Sequence, residues 1–484
     1  MNSKNRRNSI GSLLRLKHGP WLAAGLIFLA ASPIAVATAL DSIAVVNRVA
    51  RESDARAGLK GADLGLDDLY SHVLDKNPTV QIARHGLEQA AGQRLVFRSA
   101  ALPRATLGLP AGIIGPKGDQ DSRNFVLITG AFSQPLFDVS VPPSWRLGNL
   151  AIPLAQQNLN LTVSNQLHAA RKAYLRALHA RAVLGVLAEI DAALQRNQTF
   201  EQQRLAAGLS ARSDLIRAEV QRLNRGPERD AFLANYKTEM VNLANLAGAD
   251  LKASGPLPYR PRGHLIYQPF TLDLVQLNAE AQANRPDVAL LEILVRQGEE
   301  NVRAAGAGYY PSIRLIANGQ VIPTGAFVDE QPNNVRDGDN VENSEIMFGP
   351  SLTWQIYDGG ATDGRKESAI ARREASAIRL QELRDNIPRA LAAVARRIRT
   401  SEEKLRVLGS SVALAERNLA MVEKSLEQGQ AGQLDVLEAQ RSLFDTKAGL
   451  LNALLDHALS VAEFDLITGR YLHFTYAAEP ASTR

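Results

Sequence analysis

The feature that most constrains this chain is that it repeats itself. "NPTVQIARHGLEQAAGQRLVFRSAALPRATL" (77–107) aligns with "RPDVALLEILVRQGEENVRAAGAGYYPSIRL" (285–315), and the proline pairs Pro78/Pro103 and Pro286/Pro311 are both 25 residues apart. Further on, "FSQPLFD" ending at Asp138 answers "LTWQIYD" ending at Asp358. "GLSARSDLIRAE" (208–219) then answers "GQAGQLDVLEAQ" (429–440) without a gap, and Gly248 answers Gly469. The offset is 208 early in the unit and 221 late, so one half has gained about a loop of residues. Ordered landmarks of this kind mark a tandem duplication. The expected organisation is a first structural repeat over 40–248, a linker over 249–271, a second repeat over 272–469 and a tail over 470–484.

Each unit reads as helix, strand, loop, strand, very long helix and return helix. In the second unit, Arg285 to Gly306 has a helical pattern closed by glycines and Pro311. "SIRLIANGQ" then alternates, with Ile313, Leu315 and Ala317 on one face. "FGPSLTWQIYD" alternates too, placing Phe348, Pro350, Leu352, Trp354 and Ile356 together. The corresponding first-unit runs lie near 105–114 and 125–136. Such strands belong either to a small half-buried sheet or to a membrane barrel, whose strands alternate the same way over about ten residues. In the barrel reading Leu352, Trp354, Ile356, Ile313 and Leu315 are the candidate lipid-facing residues.

After Asp358-Gly359-Gly360 the period changes. Leu391, Val394, Ile398, Ser401, Leu405, Leu408, Val412, Ala415, Leu419, Val422 and Leu426 step by three and four throughout, a sustained heptad seam with a polar break at Ser401. A helix from Ala361 to Glu427, kinked near Pro388, would run about 100 Å at 1.5 Å per residue. The first-unit counterpart spans roughly 147–207. Each long helix returns through a glycine turn. "RGP" at 225–227 should interrupt the first return helix, and nothing comparable breaks the second.

The first 39 residues read as a signal peptide. Lys4, Arg6, Arg7, Arg15 and Lys17 precede an apolar run from Trp21 to Ala39 that ends in small residues, with cleavage expected near Ala39; a membrane anchor is the other reading. This leader carries five basic and no acidic residues. Its removal leaves 50 Lys+Arg against 50 Asp+Glu, and no basic excess that would argue for nucleic acid. There is no cysteine, hence no disulfide, thiolate metal site or lipid-accepting cysteine. The eight histidines are scattered, without an HExxH, GxSxG or phosphate loop, so no enzyme, cofactor or metal is implied. The acidic Asp337-Gly-Asp339-Asn run lacks the ligand ladder of a calcium loop and reads as a solvated external loop.

Four strands cannot close a transmembrane barrel, because single-chain barrels start at about eight and an open edge in lipid leaves backbone groups unpaired. If the strands span a membrane, several chains share one barrel. An exported structural coiled coil would explain the heptads but not the strand pairs, and a periplasmic adaptor would have one helical hairpin rather than two. The duplicated unit, "SLTWQIYDGG" before a long helix, and "GQAGQLDVLEAQRSL" followed by "EFDLITG" resemble the TolC-like outer membrane efflux family over about residues 62–470. The resemblance implies a mainly α fold with membrane β. Three chains would each give four strands to a 12-stranded outer-membrane barrel, continued by an α-helical coiled-coil tunnel through the periplasm. It also implies a homotrimer in contact with outer membrane lipids, a periplasmic adaptor and an inner-membrane transporter. The function implied is an exit duct for efflux or type I secretion.

The turns Gly208 to Asp214 and Gly429 to Asp435 fall at the far ends of the long helices. In the resemblance they are the periplasmic entrance, with Gly208, Leu209, Gly429 and Gly432 as candidate adaptor contacts. Asp435 and Glu438 have capping-box spacing, and acids at a helix start satisfy amides and favour the dipole. They also match the family segment whose acids line the narrowest ring, and residues three apart share a helix face. Both readings stand for Asp435 and Glu438, and Asp214 matches the first-unit acid at this gate. The aromatic and arginine that flank the tip glycine in tightly locked relatives are Leu426 and Ala431 here. Arg212 and Arg441 are the candidate substitutes, Arg441 being expected on the helix seam.

Overall fold

The computed structural model describes residues 33–56, 62–114, 123–249, 259–269, 273–321 and 345–472. The first described helix is α1 (Pro33–Arg56), followed by β1 (Ala62–Leu64), α2 (Leu66–Lys76) and α3 (Pro78–Arg98). Four strands follow: β2 (Arg104–Gly108), β3 (Ala111–Ile114), β4 (Arg123–Val126) and β5 (Ile128–Phe137). The first long helix is α4 (Val141–Ala206), answered by α5 (Arg212–Leu223) and α6 (Gly226–Leu246). The second half holds β6 (Tyr259–Pro261), α7 (Leu274–Asn284), α8 (Pro286–Ala305), β7 (Ser312–Val321), β8 (Glu345–Thr353), α9 (Ala361–Glu427) and α10 (Gln433–Ile467). The fold is mainly helical.

The long helices are where periodicity puts them. α9 matches its expected bounds and continues through Pro388. α4 starts six residues earlier than expected, because Pro142 and Pro143 fall in its first turn, where a missing N–H costs nothing. The first return helix is broken between Leu223 and Gly226, at the expected "RGP", whereas α10 runs unbroken. Along α9, Leu391, Val394, Ile398, Ser401, Leu405 and Val412 are buried. The polar break is met from α10: Ser401 Oγ lies 3.0 Å from His457 Nδ1 and donates to the Ile398 carbonyl at 2.7 Å.

Four chain reversals share one geometry. Gly208, Gly248, Gly429 and Gly469 have φ between 65° and 74°. The residue after each donates its N–H five residues back: Leu209 to Arg204 O at 2.8 Å, Ala249 to Ala244 O at 2.9 Å, Gln430 to Ser425 O at 2.9 Å, and Arg470 to Asp465 O at 2.9 Å. These are Schellman caps, which need a left-handed residue that glycine supplies at no steric cost. A Cβ on Gly248 would stand 2.3 Å from Lys76 O, and one on Gly469 would stand 2.8 Å from Asn284 O. Lys76 and Asn284 each lie two residues before a matching proline, so the same close approach occurs in both halves.

Two features lie outside the sequence expectation. The helix α1 packs Val46, Val49 and Ala50 into the core. Ser53 lies so close to α4 that a Cβ on Gly185 would meet the Ser53 carbonyl at 1.6 Å. All four of these α1 residues follow the cleavage point expected near Ala39. The second is a parallel pair of three-residue strands, β1 with β6, which ties the start of the first half to the segment entering the second. Residues 1–32, most of the expected signal peptide, lie outside the described residues, as do the acidic run at 337–340 and part of the expected linker. Among the described residues no helix is long and apolar enough to cross a membrane.

Candidate functional site

Two places bear on function, the sheet and the tips of the hairpins. The sheet has the order β2-β5-β7-β8, antiparallel throughout, and its central β5–β7 pairing joins the two halves of the chain. Residues directly opposite in a ladder share a face. Ile313 faces Leu352, Leu315 faces Pro350, and Ala317 faces Phe348 on one side and Phe132 on the other. Phe132 in turn faces Ala105. This face is apolar apart from Gln134, which lies opposite Leu315. The opposite face carries Thr106, Ser133, Arg314, Asn318 and Ser351. Apolar residues of the first face are bare in the single chain: Leu107 is 76% exposed, Ile346 76%, Phe348 69% and Leu352 63%. Both outer strands, β2 and β8, present an unpaired edge within the sheet.

The predicted lipid-facing set divides here. Ile313 and Leu315 lie in β7 and Leu352 in β8, on one face. Trp354 and Ile356 do not, because β8 ends at Thr353. The Trp354 indole instead donates to the Tyr309 carbonyl at 3.3 Å, and both side chains are exposed just below the sheet. The alternation continues in the sequence beyond the residue where strand pairing stops. The first-unit runs are likewise split, at Leu109-Pro110 and at Leu127, because proline cannot donate to a ladder.

At the tips, Asp435 is the third residue of α10, and its Oδ2 accepts the Gly432 N–H at 2.7 Å. The capping partner is therefore Gly432; Glu438 takes no part, which corrects the box inferred from spacing. Asp214 occupies the same position in α5 but makes no cap; it pairs with Arg217 at 3.7 Å, both exposed. Arg441 is also corrected: it is exposed rather than on the seam, and its partner is Asp445 at 3.9 Å. Asp435 and Glu438 are both exposed. Glu438 lines a groove of about 1140 Å³ between the hairpins, with Arg441, Asp445 and Arg225. The two tips are tied together, since Gln433 donates to the buried Asn197 of α4. The first tip closes on Glu201, a buried carboxylate that accepts from Ser210 Oγ at 2.8 Å and Arg204 at 3.5 Å.

A further polar cluster escaped the sequence reading. Arg181 is buried in α4 and donates to Asp54 of α1 and to the carbonyls of Pro261 and Gly263. Burial raises the Asp54 carboxyl above its usual range, against the pull of Arg181. Three parts of the chain thus converge on one guanidinium. The available signal was a lone arginine inside the apolar run "ALHARAVLGVL" (177–187). Among the described residues there is no group of acids and histidines able to hold a metal.

The described geometry is that of an open sheet with one largely apolar face, joined to two helical hairpins whose long arms, α4 and α9, run about 100 Å. Residues 277–470 match the family model described as outer membrane efflux protein. Nodulation protein T of Rhizobium leguminosarum bv. trifolii is 27% identical over 408 residues, covering 82% of this chain and 83% of that protein. Outer membrane protein TolC of Vibrio cholerae is 25% identical over 415 residues, covering 82% and 89%. The chain is thus similar to the TolC-like outer membrane efflux family, by the family model over 277–470 and by these relatives over 82% of its length. The crystal structure of the Campylobacter jejuni CmeC outer membrane channel shares the fold, with a TM-score of 0.70 at 14% identity over 84% of this chain and 85% of that one. A TolC-like protein resides in the outer membrane and acts as an efflux or secretion channel; the family is not one of enzymes.

Proposed function

We propose that three copies of this chain form one exit duct, each giving β2, β5, β7 and β8 to a 12-stranded barrel. The observation that carries this reading is the sheet itself: its apolar face is bare and its two edges are open. In hydrocarbon an unpaired edge costs several kcal/mol per group, so the strands must pair with other chains. An even count of antiparallel strands lets β8 of one copy meet β2 of the next in antiparallel sense. The β5 and β7 strands, 10 residues each, have the length of membrane-spanning strands.

Below the barrel the two repeats, 40–248 and 272–469, each supply one hairpin to a coiled-coil tunnel. Supporting this, α9 leaves Val407, Leu414 and Met421 exposed at steps of seven, and α5 leaves Ile216, Val220 and Leu223 exposed. Stripes of this kind want helical partners from a neighbouring copy. The tips at Gly208, Leu209, Gly429 and Gly432 form the periplasmic entrance and meet an adaptor, through which an inner-membrane transporter delivers cargo.

Asp435 and Glu438, with Asp214, line that entrance as three-fold carboxylate rings, which attract cations. Asp435 keeps its cap in this arrangement, since one carboxylate oxygen can accept an N–H while the other faces a lumen. Asp435→Asn with Glu438→Gln retains an acceptor for Gly432 and removes the charge. The expected result in planar-bilayer recordings is lower cation selectivity and weaker block by multivalent cations, with unchanged thermal stability. Unaltered selectivity and block would leave Asp435 as a cap alone.

A further inference from the structure

We propose that the cavity where the sheet meets the helices binds the phosphate headgroup of an anionic phospholipid, with an acyl chain lying against the end of β5. The proposal rests on the reading that the sheet spans the membrane.

The cavity, about 770 Å³, lies among four junctions: the end of β5, the start of α4, the turn after α8 and the start of α9. That level is one polar boundary of the proposed membrane span. Aromatics gather there, with Trp145, Trp354, Tyr309 and Tyr310 all exposed, as amphipathic rings do at headgroup depth. The lining divides by chemistry. Leu136 and Phe137, 59% and 50% exposed, make an apolar wall with Val139 and Pro142. Arg146, Arg303 and Lys366 make the polar side.

The charges do not cancel. Glu300, nearly buried, accepts from both Arg146, at 3.4 Å, and Arg303, so one carboxylate serves two guanidinium groups. Lys366 stands 5.3 Å over the Tyr309 ring. The lining acid Asp138 is already committed: it accepts from the Ser140 N–H at 2.9 Å and hydroxyl at 2.5 Å, and from Arg314 at 3.4 Å. The lining itself thus carries three cations, Arg146, Arg303 and Lys366, against the one acid Asp138, beside an apolar wall; Glu300 stands behind the two arginines, and Asp363 accepts from the Tyr309 hydroxyl. Guanidinium and ammonium groups at this depth take a phosphate, and the wall takes the chain joined to it. A zwitterionic lipid offers the same phosphate, but its own cation would stand beside Lys366. Selectivity for a net negative headgroup follows.

The test uses the full-length protein purified in detergent with equal phosphatidylglycerol and phosphatidylcholine, the retained lipid being counted by native mass spectrometry. The variant Arg146→Gln with Lys366→Gln keeps Arg303 on Glu300, so no buried carboxylate is orphaned. The wild type should retain phosphatidylglycerol over phosphatidylcholine, and the variant should lose that preference by roughly tenfold. A wild type without preference, or a preference that survives the substitutions, overturns the site. Quenching of Trp145 and Trp354 by brominated lipid in vesicles tests the membrane reading separately. Quenching without lipid preference defeats only the headgroup site, whereas absence of quenching defeats the membrane reading beneath it.

Discussion

His457 answers Ser401 at the polar break of the α9 seam, and burial holds its imidazole below the ordinary histidine range. Burial does the same to His179, beside Asn452 at 2.8 Å. It pushes His168 down to about 4, with the Lys172 charge adding to the effect. All three are neutral in the fold, whereas an unfolded histidine titrates near 6.5. Below about 6.5 the unfolded chain therefore binds more protons, so the contribution of these residues to stability declines as pH falls, for His168 down towards 4. Asp54, whose carboxyl is raised, works in the opposite direction at the acid end. A single-site variant isolates the histidine term: the drop in thermal midpoint between pH 7.5 and 5, followed by far-UV circular dichroism, should be smaller for His168→Gln than for the wild type. An equal drop in both would contradict a neutral, buried His168.

Among the elements, the glycine turns and the α1 crossing make opposite demands. At Gly429 the backbone is left-handed and the space around it is open. Gly429→Ala should therefore cost about 1 kcal/mol of conformational strain and leave the packing alone. At Gly185 the backbone is ordinary helix, but an added Cβ would collide with the Ser53 carbonyl. Gly185→Ala must displace α1, by an overpacking cost of about 1–3 kcal/mol or more. Limited trypsin digestion at Arg48, Arg51 and Arg56 separates the two: cleavage in α1 should speed up in Gly185→Ala and stay at the wild-type rate in Gly429→Ala. Equal rates in both variants would mean that α1 is not held by this crossing. The tip glycines, the long helices and the "RGP" break were legible because each follows from a local rule of period or φ. The helix α1 was not, since it continues from the leader and its packing depends on a residue more than a hundred positions away. The β1–β6 pair was equally hidden, because three-residue strands carry no period. At the tips, spacing placed Asp435 at a helix start, but only coordinates distinguish Gly432 from Glu438 as its capping partner.

For the molecule as a whole, an apolar sheet face and two open edges require other chains. The seam of α9 is filled within the chain from Leu391 to Val412, while the stripe through Val407, Leu414 and Met421 stays bare. One chain thus covers one apolar stripe of its own long helix, and the proposed trimer assigns the other to neighbouring copies. The absence of cysteine makes the central claim testable without background. One cysteine at Thr106 in β2 is combined in turn with one at Met347, Gly349 or Ser351 in β8, all on the polar face, and the protein is oxidised in outer-membrane fractions. A shared barrel predicts that at least one pairing yields covalent dimers and trimers that collapse to monomer on reduction. Monomer alone at every pairing, from protein that still fractionates with the outer membrane, would contradict a barrel closed between β2 and β8 of adjacent copies.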